Sequence, residues 1–229
     1  MYHKIGPCPQ GALVPHHYVS TRRFSNHVLA LVKFGFTSKQ LCDLVFDQDQ
    51  SQKLTALTFD DGYSNFADLA VPILQKHGQK ATVFVVAGLL GATNEWDVKI
   101  GDKPEPLMSL EQLVEIQRMG FEVGSHSMTH ARLTELNQND ANLEIQDSKR
   151  ALSEQLGQTI ETFCYPYGSQ NESLRAMVRD AGYKYACSVE KGWNHSTTDP
   201  YCLKRINVRS DTSTPILFWK LWRQNRRVQ

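Results

Sequence analysis

The sequence lacks the features that identify several large classes of protein. Its 25 basic and 24 acidic residues give a formal net charge of +1, so no basic excess indicates a nucleic-acid or acidic-polymer partner. No apolar run approaches the roughly 18 to 20 residues that cross a bilayer, and the first residues lack the apolar segment of a secretory signal. We therefore expect a cytoplasmic chain, with an exported chain as the alternative, and with no membrane span and no nucleic-acid partner.

Cysteine is also scarce. The five cysteines are odd in number, scattered and without a Cys-x-x-Cys pair, which excludes a disulfide framework and a cysteine zinc site and predicts reduced thiols. No internal repeat is present. With 229 residues, 41% of them hydrophobic, the chain is long enough for one sizeable core, and we expect a single domain over residues 1–229.

The apolar residues that are present alternate between short strand-like runs and longer helical runs. A loop is predicted over residues 88–106, and a loop of that length is often functional. Ser109 and Gln112 predict a capping box at the start of one helix. The pattern predicts strands at 54–59, 81–87, 121–124, 160–165 and 183–189, and helices at 65–77, 109–119, 134–156 and 172–181.

Strands that alternate with helices predict an α/β fold with a parallel sheet and right-handed crossovers. The residues with metal-ligand or acid–base chemistry all follow predicted strands. A closed β/α barrel explains that placement, because its active site lies at the carboxyl ends of the strands. An open doubly wound sheet also fits the alternation, but no glycine-rich phosphate loop follows the first predicted strand.

Two short motifs indicate a hydrolytic metal site. Asp60 and Asp61 end an apolar run and are followed by Gly62, which permits a sharp turn. Neighbouring residues at a strand end point to different sides, so one carboxylate can bind a cation while the other handles a proton. His126 and His130, four residues apart, can reach the same ion from one helical turn or a tight loop.

Each motif alone has an ordinary structural interpretation. Asp-Gly pairs commonly end strands in turns, and single histidines are usually surface or capping residues. Their joint occurrence favours the metal site, because three ligand-type side chains and a spare carboxylate at strand ends are what an open catalytic zinc site requires.

These residues resemble the motifs of the polysaccharide deacetylases, the carbohydrate esterase family 4 group that contains the NodB homology domain. The resemblance implies a distorted, incomplete (β/α) barrel with fewer than eight units. It also implies that Asp60 is the catalytic base and that Asp61, His126 and His130 hold a divalent metal, most often Zn²⁺. The opening Tyr2-His3 is similar to the start of an exopolysaccharide-type subgroup.

Two positions depart from that family. The Arg-x-Pro-Tyr motif of the substrate groove appears here with Cys164 in place of arginine, which predicts different contacts around the base because a thiol cannot make a bidentate bond to a carboxylate. The Leu-x-His motif, whose histidine acts as the acid, matches residues 203–208, which contain no histidine. His195 and His3 are therefore the candidate acids, and protonated Asp60 is an alternative.

Aromatic residues near these motifs are candidates for sugar contacts, since an aromatic ring joins an apolar face to a polar edge. For Trp96, core packing is an equal or better interpretation. The predicted substrate-binding residues are Tyr63, Tyr165, Pro166, Tyr167 and Trp193.

The predicted function is metal-dependent removal of N-acetyl groups from an amino-sugar polysaccharide or glycan precursor, with that carbohydrate as partner and no indication of an oligomeric state. A catalytically weakened sugar-binding protein that keeps the metal is one alternative. A non-haem iron oxygenase is another, because two histidines and a carboxylate also form its facial triad. Those oxygenases usually have a carboxylate two residues after the first histidine, where this sequence has Met128.

Overall fold

The computed structural model describes residues 1–44 and 53–225. The strands are β1 Lys4–Ile5, β2 Tyr18–Val19, β3 Phe36–Lys39, β4 Lys53–Ala56, β5 Thr58–Phe59, β6 Thr82–Val85, β7 Glu122–Ser125, β8 Thr162–Cys164, β9 Tyr185–Lys191 and β10 Leu203–Arg205. The helices are α1 Thr21–Lys33, α2 Val71–Lys76, α3 Glu95–Val98, α4 Leu110–Arg118, α5 Gln138–Leu156, α6 Glu172–Asp180 and α7 Thr214–Asn225.

Six parallel strands form the main sheet in the order β10-β9-β8-β7-β6-β5. Every residue of β6, β7 and β8 is buried, as expected for strands covered on both faces. The sheet curls into a half-barrel, which confirms the predicted incomplete β/α barrel. Two further parallel pairs, β1 with β2 and β3 with β4, lie beside it.

The first residues of the chain connect the two edges of this half-barrel. The Tyr2 backbone N–H donates to Thr58 O (2.8 Å), and the Asp60 N–H donates to Tyr2 O (3.0 Å). On the other side, the Val208 N–H donates to Met1 O (3.0 Å). Residues 1–2 therefore lie between β5 and the segment that follows β10, and His3 comes next to the end of β5.

An aromatic cluster supports this junction. The Tyr2 and Phe59 rings are stacked with centroids 5.3 Å apart, and Phe24 of α1 contacts Phe59 edge-on at 5.6 Å. Phe66 lies 4.7 Å from Phe59 on the opposite side. All four side chains are buried. Because such cores are densely packed, the cluster gives the acidic pair after Phe59 a rigid base.

The predicted elements are present, but three of them differ in detail. The run at 54–59 is two strands: β4 pairs with β3, and after Leu57 the chain enters β5 of the main sheet. The helix predicted at 65–77 begins as a π-helical segment, Phe66–Ala70, and continues as α2. The helix predicted from 134 begins only at α5, where the Asn137 side chain caps the Asp140 N–H.

The capping box at the start of α4 is confirmed, since Ser109 and Gln112 each bond to the other's backbone N–H. The predicted loop at 88–106 contains the short helix α3. Among residues 1–44 and 53–225, no helix combines the length and apolar character that a bilayer crossing requires.

Candidate metal centre and active site

The two acids that follow β5 point in different directions because the backbone reverses between them. Asp61 has a φ of 75° and Gly62 a φ of 78°, both in the left-handed region. A Cβ at position 62 would lie 3.0 to 3.1 Å from Val85, so only glycine fits here. Both carboxylates are buried. The turn thus directs Asp61 toward β7 and leaves Asp60 facing β10.

Asp61 and two histidines form a cluster with the dimensions of a metal site. Asp61 Oδ1 lies 3.3 Å from His126 Nε2 and 3.4 Å from His130 Nε2. Ligand atoms at the usual zinc bond lengths, placed tetrahedrally, are separated by about 3.4 Å. His126 Nδ1 donates to the Cys164 carbonyl oxygen (2.7 Å), so its Nε2 lone pair is free for a cation. The three residues therefore fit a divalent ion.

The histidine segment is a tight loop rather than a helical turn. Ser127 and His130 have φ values of 65° and 64°, and strain of this kind in residues other than glycine is typical of functional sites. The Ser127 hydroxyl oxygen accepts a bond from the His130 N–H (3.1 Å). Glu144 of α5 accepts bonds from the Met128 and Thr129 N–H groups, both 2.9 Å. These bonds fix the backbone of the loop that carries both histidines.

Asp60 is held by an arginine that the sequence motifs did not identify. Arg205 of β10 makes a bidentate ion pair with Asp60, with Nη1–Oδ1 2.6 Å and Nη2–Oδ2 2.8 Å. Its Nε donates to the Ser188 carbonyl (2.8 Å), and Nη2 contacts the Cys164 sulfur at 3.2 Å. Burial raises the pKa of Asp60, but the Arg205 charge and hydrogen bonds outweigh it and lower that pKa overall.

The arginine is therefore absent from the Arg-x-Pro-Tyr position but not from the site. It is the third residue of Leu203-Lys204-Arg205, the segment that matches Leu-x-His. Cys164, in the usual arginine position, lies against the same guanidinium. The sequence contained this signal, because a basic residue stands where the histidine was expected.

His3 lies beside both acids. The parallel bridge between Tyr2 and Phe59 places it next to Asp60. Burial lowers the pKa of His3 below its ordinary value and outweighs the Asp61 and Asp60 charges, which raise it. Its Nδ1 atom is buried without a hydrogen-bond partner among the described residues, and its ring stacks on His17 with centroids 4.0 Å apart. The structure thus brings His3 to the acidic pair.

His195 and Trp193 lie in a loop beside β10 and α7, and their assignment to the site stays a prediction. They line a cavity of about 670 Å³ between β4, β10 and α7. The Trp193 indole donates to Leu221 O of α7 (3.0 Å), and Asn194 bonds to Lys204 of β10 through both its side-chain amide atoms. This loop is therefore held against β10 and α7, and no ion pair or hydrogen bond within the described part of the chain joins His195 to the metal cluster.

Three of the predicted sugar-contacting residues are buried, which is a correction. Tyr63 is 1% exposed and donates its hydroxyl to Asp97, and Tyr165 is 0% exposed and donates to the Tyr201 carbonyl. Pro166 is also buried. Their aromatic or apolar faces pack in the interior, so they do not present a surface to a glycan.

Two aromatic rings do lie at the rim of the metal cluster. Tyr167, 42% exposed, directs its ring at His130 in an edge-on contact of 4.6 Å, and the Arg132 guanidinium lies 3.9 Å from its centre. Trp96 of α3 is stacked on His130 with centroids 4.1 Å apart. Core packing had been as good an interpretation of Trp96, because no periodic pattern in the 88–106 loop indicates where that indole points.

Comparison with known proteins agrees with this geometry. The polysaccharide deacetylase family model matches residues 47–186. YxkH of Bacillus subtilis (strain 168), whose name assigns it to the polysaccharide deacetylases, is 28% identical over 195 residues, which is 83% of this chain and 65% of YxkH. The poly-β-1,6-N-acetyl-D-glucosamine N-deacetylase of Staphylococcus aureus (strain MRSA252) is 25% identical over 161 residues, 68% of this chain and 54% of that enzyme. The chain thus spans between half and two thirds of these relatives.

Solved structures show the same fold. The Streptococcus pyogenes deacetylase PplD in complex with acetate superposes with a TM-score of 0.82 at 23% identity, covering 96% of this chain and 95% of that one. IcaB from Ammonifex degensii gives a TM-score of 0.79 at 22% identity, covering 97% and 94%. With the family model matched over more than half of its residues, the chain belongs to the polysaccharide deacetylase family.

Proposed function

We propose that this chain is a metal-dependent hydrolase that removes N-acetyl groups from an amino-sugar polysaccharide or glycan precursor. The observation that carries the proposal is the bidentate pair between Asp60 and Arg205, directly beside the Asp61, His126 and His130 cluster. A site that only bound sugar would have no use for a buried carboxylate fixed next to a metal centre. A site for hydrolysis requires one.

The metal proposed for the cluster is zinc, which suits two imidazoles and a carboxylate. When bound by Asp61, His126 and His130, a divalent ion would polarise the acetyl carbonyl and lower the pKa of water from about 15.7 to about 7. Burial raises the pKa of Asp61, but the neighbouring His126 and His130 outweigh it and lower that pKa well below its ordinary value. Asp61 therefore stays ionised and available as a ligand.

Asp60 is the proposed general base. Its lowered pKa keeps it a carboxylate at neutral pH, and the two bonds from Arg205 fix both oxygens. The pair with Arg205 makes the Asp60 carboxylate less basic, but it prevents that carboxylate from rotating away. A positioned base contributes typically 10²- to 10⁴-fold to a rate. Following the family resemblance, a backbone N–H near Tyr167 is the proposed oxyanion donor.

His3 is the proposed general acid for the departing amine. It is adjacent to Asp60 in the sheet register, and its buried Nδ1 has no other partner among the described residues. Delivery of the proton by Asp60 itself is the alternative route. His195 is not proposed, because the structure places it in the cavity beside α7.

An N-acetylated amino-sugar polymer is the proposed substrate class. The staphylococcal relative is named for deacetylation of poly-β-1,6-N-acetyl-D-glucosamine, and this chain has the Tyr2-His3 opening. Tyr167 and Trp96 are the aromatic surfaces at the rim, and we propose Tyr167 for contact with the sugar.

The test combines metal analysis with acetate release. The purified chain is analysed for bound zinc and iron, and acetate is measured after incubation with β-1,6-linked N-acetylglucosamine oligomers and with acetylated xylan. We expect zinc and acetate release from the amino-sugar oligomers, with Asp60→Asn inactive but metal-loaded and Asp61→Ala unable to retain metal. Zinc without acetate release from either polymer would contradict the deacetylase, and iron with oxygen consumption would indicate the oxygenase.

A further inference from the structure

We propose that Trp96 is a positioning residue for the metal ligand His130, and that the pair of buried Lys4 with partly buried Asp97 holds Trp96 in place. The inference rests on the metal site of the proposed function. It adds a dependence of metal affinity on residues outside the family motifs.

The two histidine ligands are oriented in different ways. His126 Nδ1 is fixed by its bond to the Cys164 carbonyl, the type of support that metal-binding histidines usually have. His130 Nδ1 is equally buried but has no hydrogen-bond partner in the described ranges. A ring without that bond can rotate about its side-chain torsions unless packing prevents it. His130 therefore needs another restraint to keep Nε2 directed at Asp61.

Aromatic contacts supply that restraint. The Trp96 indole is nearly parallel to the His130 ring, with 4.1 Å between centroids and 24° between planes. Tyr167 meets the same ring at 65° and 4.6 Å, and His126 meets it at 69° and 5.0 Å. Stacked and edge-on contacts of this kind are directional as well as apolar. Together they define one plane for the imidazole.

Trp96 is itself held by a buried polar network. Its neighbour Asp97 accepts hydrogen bonds from Tyr63 Oη (3.3 Å) and Asn94 Nδ2 (3.2 Å), and Lys4 Nζ lies 3.9 Å from the same carboxylate oxygen. Lys4 is 0% exposed, with its ammonium 4.6 Å from the centre of the Tyr63 ring. Since α3 is one turn long, these bonds rather than the helix fix its position.

A chain of contacts therefore connects Lys4 to the metal centre through Asp97, Trp96 and His130. Lys4 follows His3, so the same N-terminal strand that places the proposed acid also fixes the loop that orients a ligand. Trp96 touches the ligand and not the reacting atoms, so its effect is on metal affinity and coordination geometry.

The experiment measures Zn²⁺ and Co²⁺ dissociation constants by competition with a chromophoric chelator, together with the Co²⁺ absorption spectrum. We expect Trp96→Leu to weaken Zn²⁺ binding by about 10- to 100-fold, the range seen when a ligand loses its supporting contact, and to change the Co²⁺ spectrum. Trp96→Phe keeps a stacking ring and should stay close to the wild type. Trp219→Leu, a change of the half-exposed tryptophan in α7, is the matched control.

Asp97→Asn tests the remote end of the chain of contacts and remains informative if Trp96→Leu does not fold. We expect it to weaken Zn²⁺ binding in the folded protein, and to add little when combined with Trp96→Leu, because the two changes act through one path. Wild-type affinity and an unchanged Co²⁺ spectrum in folded Trp96→Leu would overturn the inference while the proposed function stood. A wild-type chain that binds neither ion would overturn both.

Discussion

The proposed metal-binding half of the site and the proposed proton-transfer half are built in different ways. Asp61, His126 and His130 come from two short segments, each at the end of one strand, and strained left-handed residues in those segments aim the ligands. Asp60 instead depends on Arg205, 145 residues away, and on the N-terminal segment that carries His3. The first half is local in sequence, whereas the second is assembled by closure of the half-barrel.

This difference explains how the chain tolerates Cys164 at the usual arginine position. The proposed base, Asp60, is paired with a guanidinium, and any strand that reaches that place can supply one. Here β10 does so, while the thiol on β8 fills the space beside it. The local half has no such freedom, because its ligand atoms must lie on fixed sides of one ion.

The largest expected effect distinguishes the roles of the adjacent acids Asp60 and Asp61. We expect Asp60→Asn to lower the deacetylation rate by about 10²- to 10⁴-fold with bound zinc retained, because it removes a base but no ligand. Asp61→Asn should lose zinc and activity together. Elemental analysis and acetate release measure the two outcomes. Metal loss from Asp60→Asn would show that the two halves are not separable.

The second prediction tests how much the Asp60–Arg205 pair contributes to the free energy of unfolding. Arg205→Met leaves Asp60 buried without its partner, and breaking a buried ion pair in this way costs about 3 to 5 kcal/mol. Arg150→Met is the matched control, since Arg150 pairs with Asp147 at 2.8 Å on the surface of α5. Exposed pairs of that type contribute about 0.3 to 0.5 kcal/mol. Denaturant unfolding of metal-free protein measures both, and equal losses would contradict a special role for Arg205.

The third effect concerns His3. We expect His3→Gln to slow release of acetate from an amino-sugar oligomer by about 10²-fold, the lower range for a general acid, with zinc affinity unchanged. Hydrolysis of an aryl acetate should be nearly unaffected, because a phenolate leaves without being protonated. His16→Gln, which changes a ring that contacts His17 rather than the acids, is the control. An unchanged rate of amide hydrolysis in His3→Gln would indicate that Asp60, and not His3, is the general acid.

The parts that the sequence allowed us to predict are those specified locally. The alternation of apolar runs predicted β6, β7 and the parallel sheet, and the family resemblance implied the incomplete barrel. The acidic pair and the spaced histidines predicted the cluster. Arg205 was missed because only the barrel closure shows that β10 ends beside β5. Tyr165 was placed in the groove because sequence does not show which way a side chain at a strand end points. Trp96 lies in a loop whose course depends on Lys4, far away in the sequence.

The smallest expected effect concerns His27, which holds the N-terminal segment through its hydrogen bond with Tyr2. His27 is fully buried in α1, where its Nε2 donates to Thr212 O (2.9 Å) and its Nδ1 accepts from the Tyr2 hydroxyl (3.1 Å). Burial is the main cause that lowers its pKa from 6.5 to about 4; the Thr212 carbonyl opposes it, and the Arg23 and Lys220 charges act with it. The neutral ring is thus the one that fits, since a protonated ring could no longer accept from Tyr2.

The direction of the pH effect follows from this lowered value. Between pH 6.5 and about 4 the unfolded chain binds the proton and the folded chain does not, so stability present above pH 6.5 is lost as the pH falls. We expect His27 to account for about 2 kcal/mol of lost unfolding free energy between pH 7 and pH 5. Denaturant unfolding with the metal chelated measures this loss of unfolding free energy. The loss should be smaller in His27→Gln, whose amide can keep both hydrogen bonds, than in the wild type. An identical pH dependence in the two proteins would contradict the lowered pKa of His27, and with it the requirement for a neutral ring that accepts from Tyr2.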